Sequence, residues 1–312
     1  MSEGSPAQPT ARQAELQALA GELRPQLHRY CARLMGSVIE GEDVVQDTFA
    51  RAFVALDELE EGTLLRAWLF RIAHNRALDL LRSRAIRTAE PIESAYEVAD
   101  AATSDPVEAM MRREAVETAV SRFVELPAMQ RSVLILKDVL DQSLEEIATM
   151  LALTVNAVKA HLARGRARLK DINTEAQPKL TPRQPSADVT RYVALFNRRD
   201  WDGLRAMLAD DVRLNQATYP RRVGAADVGR FFGFYAGFAP VRLVPAWLDG
   251  REVIAVFDGP QAVKPSYFMW LEWTDGRIGF IHDYRYVRYV ADDAELVLAP
   301  DPAPSGEGNA ER

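Results

Sequence analysis

The sequence predicts a multidomain chain of two all-α helical domains followed by an α+β domain. Three observations predict it. Apolar residues recur at helical spacing to about residue 88 and again from about 109 to 172. Two proline-bearing breaks interrupt that pattern. Beyond Arg242 the chain turns to β-branched and aromatic residues, which suit strands. A length of 312 residues also exceeds what one core usually serves. The division expected is a helical domain at 12–88, an acidic linker at 89–108 and a second helical domain at 109–172. A Pro-rich linker at 173–185, an α+β domain at 186–300 and a disordered tail at 301–312 complete it.

Each element has a local reason. Leu16, Leu19, Leu23 and Leu27 share one helical face, and Val45, Phe49, Ala52, Phe53 and Leu56 share another. A third helix is expected from Thr63 to Arg84. Residues 89–108 are small and acidic and contain Pro91 and Pro106, which reads as a linker. Pro127 suits a first helical turn, where its missing N–H costs nothing. Ser143 and Glu146 have capping-box spacing and open a short helix carrying Leu144, Ile147, Ala148 and Leu151 on one face. A three-residue turn, Ala152 to Thr154, follows. Thr154 can cap a longer helix whose core side is Val155, Val158, Leu162 and Leu169. Pro178, Pro182 and Pro185 make the second break semi-extended. Residues 186–238 read as helical with a short strand near Val212–Gln216. Asp275-Gly276 then lies between Phe268–Thr274 and Arg277–Val287, a hairpin signal because this dipeptide accepts positive φ.

The formal net charge of −7 conceals its distribution. Residues 71–88 hold five arginines and one acid, residues 159–170 hold five cations and no acid, and the acidic stretch between them, residues 90–125, holds nine acids and three arginines. Binding to a phosphate backbone depends on the cations at the contact, so two basic segments matter more than the total. Other classes are disfavoured. No run of about 18 apolar residues lacks a charge, and the N-terminus lacks the basic-then-apolar order of a secretory signal. One cysteine, Cys31, permits no intrachain disulfide, and with four histidines a structural zinc is not expected. A cytoplasmic protein without metal, cofactor or membrane partner is the expectation.

On the helix after Thr154, steps of about 100° place Asn156, Ala160, Ala163, Arg164 and Ala167 opposite the core stripe, with Lys159 and His161 on the flanks. Small residues there let a helix approach base edges, while Lys159 and Arg164 can reach phosphate or guanine. The plainer reading is a solvated surface helix. On the third helix Arg71, Asn75, Asp79 and Arg82 share a stripe: Arg71 and Asn75 suit phosphates or an unstacked base, and Asp79–Arg82 suits a brace. Trp68 is read as core, and His74 as a surface residue near DNA.

Two segments together resemble a known family. Leu126-Pro-Ala-Met-Gln-Arg-Ser-Val-Leu-Ile-Leu, Leu144-Glu-Glu-Ile-Ala and Val155–Leu169 resemble region 4 of bacterial extracytoplasmic function (ECF) sigma factors. Gly41-Glu-Asp-Val-Val-Gln-Asp-Thr-Phe49 is similar to their region 2.2, and Ala67–Arg82 to regions 2.3 and 2.4. The resemblance covers residues 12–172. It implies a transcription initiation factor, not an enzyme, with RNA polymerase core and promoter DNA as partners. Asn156, Lys159, His161, Arg164 and Arg166 would serve the upstream promoter element, and Arg71, Asn75 and Arg76 the downstream one. Asp43, Gln46 and Asp47 would meet basic groups on the polymerase, and the linker acids (Glu90, Glu93, Glu97, Asp100 and Asp105) would thread the RNA exit path.

Residues 189–212 and 224–232 resemble a SnoaL-like domain, a cone-shaped α+β fold. That implies modulation in cis in place of a separate anti-sigma protein, and a pocket able to take a small molecule. The Trp-Leu-Pro-Glu-Pro type of linker seen in one group of such extended sigma factors is absent, so that group's contact mechanism is not implied here. By strand alternation Phe280, His282, Tyr284 and Tyr286 share one face and Ile281, Asp283 and Arg285 the other. Phe280, His282 and Tyr284 are therefore the pocket candidates, with His282 as base or ligand contact. Two alternatives stay open: a SnoaL-type enzyme or ligand sensor fused to a helix-turn-helix regulator, and a plain helix-turn-helix repressor.

Overall fold

A computed structural model describes residues 11–60, 62–88, 106–175, 183–237, 241–259 and 261–300. The chain forms two compact units, residues 1–177 and 178–312. The expected tail and the five named linker acids lie outside the described residues.

The first unit is helical. Helices α1 (Ala11–Met35), α2 (Val38–Ala55) and α3 (Leu65–Thr88) precede α4 (Pro106–Glu117), α5 (Ala128–Leu134), α6 (Leu144–Leu151) and α7 (Val155–Thr174). Ser37 begins α2 because its hydroxyl accepts the Glu40 N–H at 3.3 Å. Gly41 lets α2 approach α1 closely, since a Cβ there would fall 2.6 Å from the Ala32 backbone. The third helix continues four residues beyond the expected Arg84, with no helix breaker before Ala89. Helix α4 opens on Pro106, a residue read as a linker boundary, because proline is well placed at a first helical position.

Helix α5 widens into a π turn, Ile135–Val139, which aims Asp138 inward. The Ser143–Glu146 capping box forms in full, and Thr154 caps α7 by accepting the Ala157 N–H. One apolar core runs through the whole unit. It joins Leu27, Tyr30 and Leu34 of α1 and Leu69 and Phe70 of α3 to Leu134 of α5, Ile147 of α6 and Val158 and Leu162 of α7. Cys31 is buried in it. Each fully buried leucine contributes on the order of 1.5–3 kcal/mol.

The second unit is α+β. Helices α8 (Ala187–Asn197), α9 (Trp201–Ala206) and α10 (Ala225–Ala236) pack on a seven-stranded sheet. Its strands are β1 (Leu208–Gln216), β2 (Arg222–Val223), β3 (Val241–Leu248), β4 (Arg251–Asp258), β5 (Tyr267–Thr274), β6 (Arg277–Asp283) and β7 (Val297–Leu298). Their order is β2-β1-β6-β5-β4-β3-β7, and β1 runs parallel to β6 while the other pairings are antiparallel. The Asp275-Gly276 hairpin forms with φ of 51° and 74°. The expected strand to Val287 stops at Asp283, where the Asp283 carboxylate accepts the Arg285 N–H at 3.1 Å and turns the chain.

Candidate nucleic-acid interface

Helix α7 has an open polar edge and a braced one. Asn156 and Lys159 are exposed near its N-terminus. His161 is half-buried and 3.4 Å from an Arg164 nitrogen, and burial and that cation lower its pKa. The other terminal nitrogen of Arg164 is buried without a hydrogen-bond partner. Ala160, expected on the open face, is only 4% exposed. A long helical side chain reaches back over the preceding turn, and Arg164 does so toward His161.

Arg166 does not belong with this set. Its Nε and Nη2 donate to the two carboxylate oxygens of Asp138 at 2.8 and 2.6 Å, a bidentate pair shielded from water. That pair ties α7 to the π turn, so Arg166 braces the helix and is not free for phosphate. Residues 28 positions apart reveal no pairing by local periodicity, so the sequence gives no sign of this brace.

On α3, Arg71 and Asn75 are exposed on one stripe, and Asp79 meets Arg82 at 3.3 Å. Trp68 packs on the core. Arg76 and Asp47, assigned to different partners from the sequence, meet each other at 2.7 Å, and Arg84 pairs with Glu40. These two ion pairs fasten α2 to α3. Asp43 is exposed and Gln46 half-buried on the α2 surface beside Asp47.

His74 corrects an expectation. It is 4% exposed, with Nδ1 2.8 Å from the Tyr30 hydroxyl and 3.3 Å from the Ser132 hydroxyl. Burial lowers its pKa to about 4 and keeps it neutral. The face opposite Arg71 and Asn75 turns inward against α1 and α5, which a single helix's spacing does not show.

In the second unit the aromatic face of β6 points away from the helices. Phe280 and His282 stack at 4.1 Å, and His282 stacks on Trp270 at 4.5 Å. His282 Nε2 is 3.5 Å from Glu272, too long for a full hydrogen bond; burial lowers its pKa, and Glu272 opposes that. Tyr284 lies beyond the strand and is buried against Phe268 at 4.6 Å. The three pocket candidates therefore do not converge on an interior site. An open groove of about 450 Å³ takes Phe280, with Arg213 and Glu272, into its wall.

The helix-facing side of β6 carries Ile278, Ile281 and Asp283. Asp283 is buried and accepts from Gln216 Nε2 at 2.7 Å, and burial raises its pKa to about 6. The Tyr235 and Tyr267 hydroxyls, 2.9 Å apart, share that interior. The alternation placed Asp283 opposite His282 but did not say which face was covered.

Comparison with known proteins accords with this architecture. Residues 19–86 match Sigma-70 region 2, residues 119–169 match Sigma-70 region 4, and residues 189–279 match a SnoaL-like domain. The chain is similar to the ECF RNA polymerase sigma factor SigW of Bacillus subtilis, 30% identical over 156 residues, covering 47% of this chain and 82% of SigW. It is also similar to the ECF RNA polymerase sigma factor SigG of Mycobacterium tuberculosis, 32% identical over 218 residues. That match covers 62% of this chain but only 59% of the length of SigG.

Among solved structures, the sigma factor RpoE in complex with the anti-sigma factor NepR from Bartonella quintana has a TM-score of 0.38 and 26% identity. It covers 52% of this chain and 99% of that one. With helical units matching regions 2 and 4, the chain belongs to the ECF RNA polymerase sigma factors. No described helix is long and apolar enough to cross a membrane.

Proposed function

We propose that this chain binds RNA polymerase core and directs it to a particular class of promoters, performing no chemistry itself. The supporting observation is the presence of two exposed basic-polar helix faces on one chain, Arg71 and Asn75 on α3 and Asn156 and Lys159 on α7. The first serves the downstream promoter element, where a melted strand offers phosphates and unstacked bases. The second enters the major groove upstream, with Arg164 and His161 beside it. Asp43, Gln46 and Asp47 face the polymerase, with Asp47 also holding Arg76. Arg166 contributes by holding α7 in place. The SnoaL-like domain modulates this activity in cis.

Run-off transcription with polymerase core, together with upstream-element binding, tests the reading. Lys159→Ala with Arg164→Ala removes two cations from the contact. The expected result is weaker upstream binding, a log–log salt slope shallower by about 2, and reduced initiation. Unchanged promoter-specific transcription by the double variant removes α7 as the reading helix.

A further inference from the structure

Near the margin of a sheet, backbone N–H and C=O groups left without a neighbouring strand are a template for a strand of another chain. In the second unit this concerns β3. All eight of its residues pair with β4 on one side, but on the other β7 stands against only Ala246 and Trp247. The groups pointing to that open side belong to alternate residues, Val241, Leu243, Pro245 and Trp247. Trp247 stands opposite Val297 of β7, and the Pro245 carbonyl accepts the Ala299 N–H at 2.8 Å. Pro245 has no N–H to leave open.

Beyond that point side chains take the place of a strand. Asn197, the last residue of α8, accepts the Leu243 N–H through Oδ1 and donates to the Leu243 carbonyl through Nδ2, each at 2.9 Å. These are the two bonds that a facing residue on a neighbouring strand would make. Arg199 donates to the Val241 carbonyl at 3.3 Å. It does so from a left-handed backbone, φ 62°, with its guanidinium over the Phe196 and Trp201 rings. Its other terminal nitrogen is buried without a hydrogen-bond partner. A strained backbone and an unmatched donor persist only where the surroundings enforce them, here to cover one carbonyl. We propose that the β3 edge is a strand-accepting surface, that the partner it fits is the same edge of a second copy of this chain, and that Asn197 and Arg199 hold it shut. An antiparallel pairing about a two-fold axis at Leu243 lets each Leu243 exchange both backbone bonds with its twin, the same two bonds that Asn197 satisfies. The seal stands apart from the sigma-factor reading and is tested without polymerase or DNA.

The test is sedimentation of the full chain over a range of concentrations. Asn197→Ala removes both bonds from an exposed position and should double the sedimenting mass relative to the unaltered chain as concentration rises. Asn197→Lys loses the same bonds but sets like charges face to face across the two-fold axis, so it should keep the unaltered mass. An alanine variant that keeps the unaltered mass, or a lysine variant that doubles it equally, overturns the seal. Hydrogen exchange on the unaltered chain needs no variant. The Leu243 amide should be protected as strongly as the amides of β4, which lies between two strands, and exchange at the rate of an exposed loop also overturns the proposal.

Discussion

Asp283 sits in an environment that opposes its charged form. It is ionised with difficulty because it is sealed among tyrosines and hydrogen-bonded only to Gln216 and a backbone N–H. Its native pKa, about 6, lies above the usual value near 3.9, so the folded unit keeps a proton that the unfolded chain has lost. The sign follows: stability of the second unit falls as pH rises from about 4 to 6 and then levels off. Asp283→Asn is expected to remove that slope and to stabilise the unit at pH 7 by roughly 2–3 kcal/mol, with Gln216 turning its amide to accept. Thermal unfolding of both forms at pH 4.5 and 7.5 checks this; equal slopes would mean that the carboxylate is solvated. Residues such as this one, His74 and Arg166 were illegible in the sequence for one reason. Each owes its state to a group 28 to 67 positions away, beyond the reach of periodicity.

Elements were far more legible, because their determinants are local. The capping box at Ser143, the Thr154 cap and the Asp275-Gly276 turn each involve atoms within four residues, and all three form as read. Ends moved at α3, which ran on to Thr88 with no breaker to stop it, and at β6, which stopped early. At β6, the aspartate turn won over a continuing β-propensity. Close contact between α1 and α2 depends on Gly41 having no side chain, although helix propensity alone favours alanine there by about 1 kcal/mol. Packing decides this case, since backbone atoms 2.6 Å from the new Cβ cannot yield cheaply. Gly41→Ala should therefore destabilise the first unit, by roughly 1–3 kcal/mol in chemical denaturation, and a stabilised variant would show that the helices sit further apart.

At the scale of the whole molecule, the order of domains could be read from composition, whereas the joining of two helical regions into one core could not. The acidic stretch between α3 and α4 read as a separator, and apolar stripes do not say which of several partners they bury against. The two-unit division gives a clean cut for testing regulation. Removing residues 186–312 is expected to change transcription yield at a fixed polymerase concentration, measured by run-off assay beside the full chain. Equal yield and equal polymerase affinity would leave the SnoaL-like domain without a regulatory part.

The sole sulfhydryl offers a separate handle on motion. Cys31 sits wholly inside the first unit, and its surroundings disfavour the thiolate, so alkylating reagents and peroxide find no reactive sulfur while the helices stay shut. Its rate of modification is then a clock, ticking only when α1 parts from its neighbours. A chain handled in an oxidising buffer will record, as lost thiol, how often that happens.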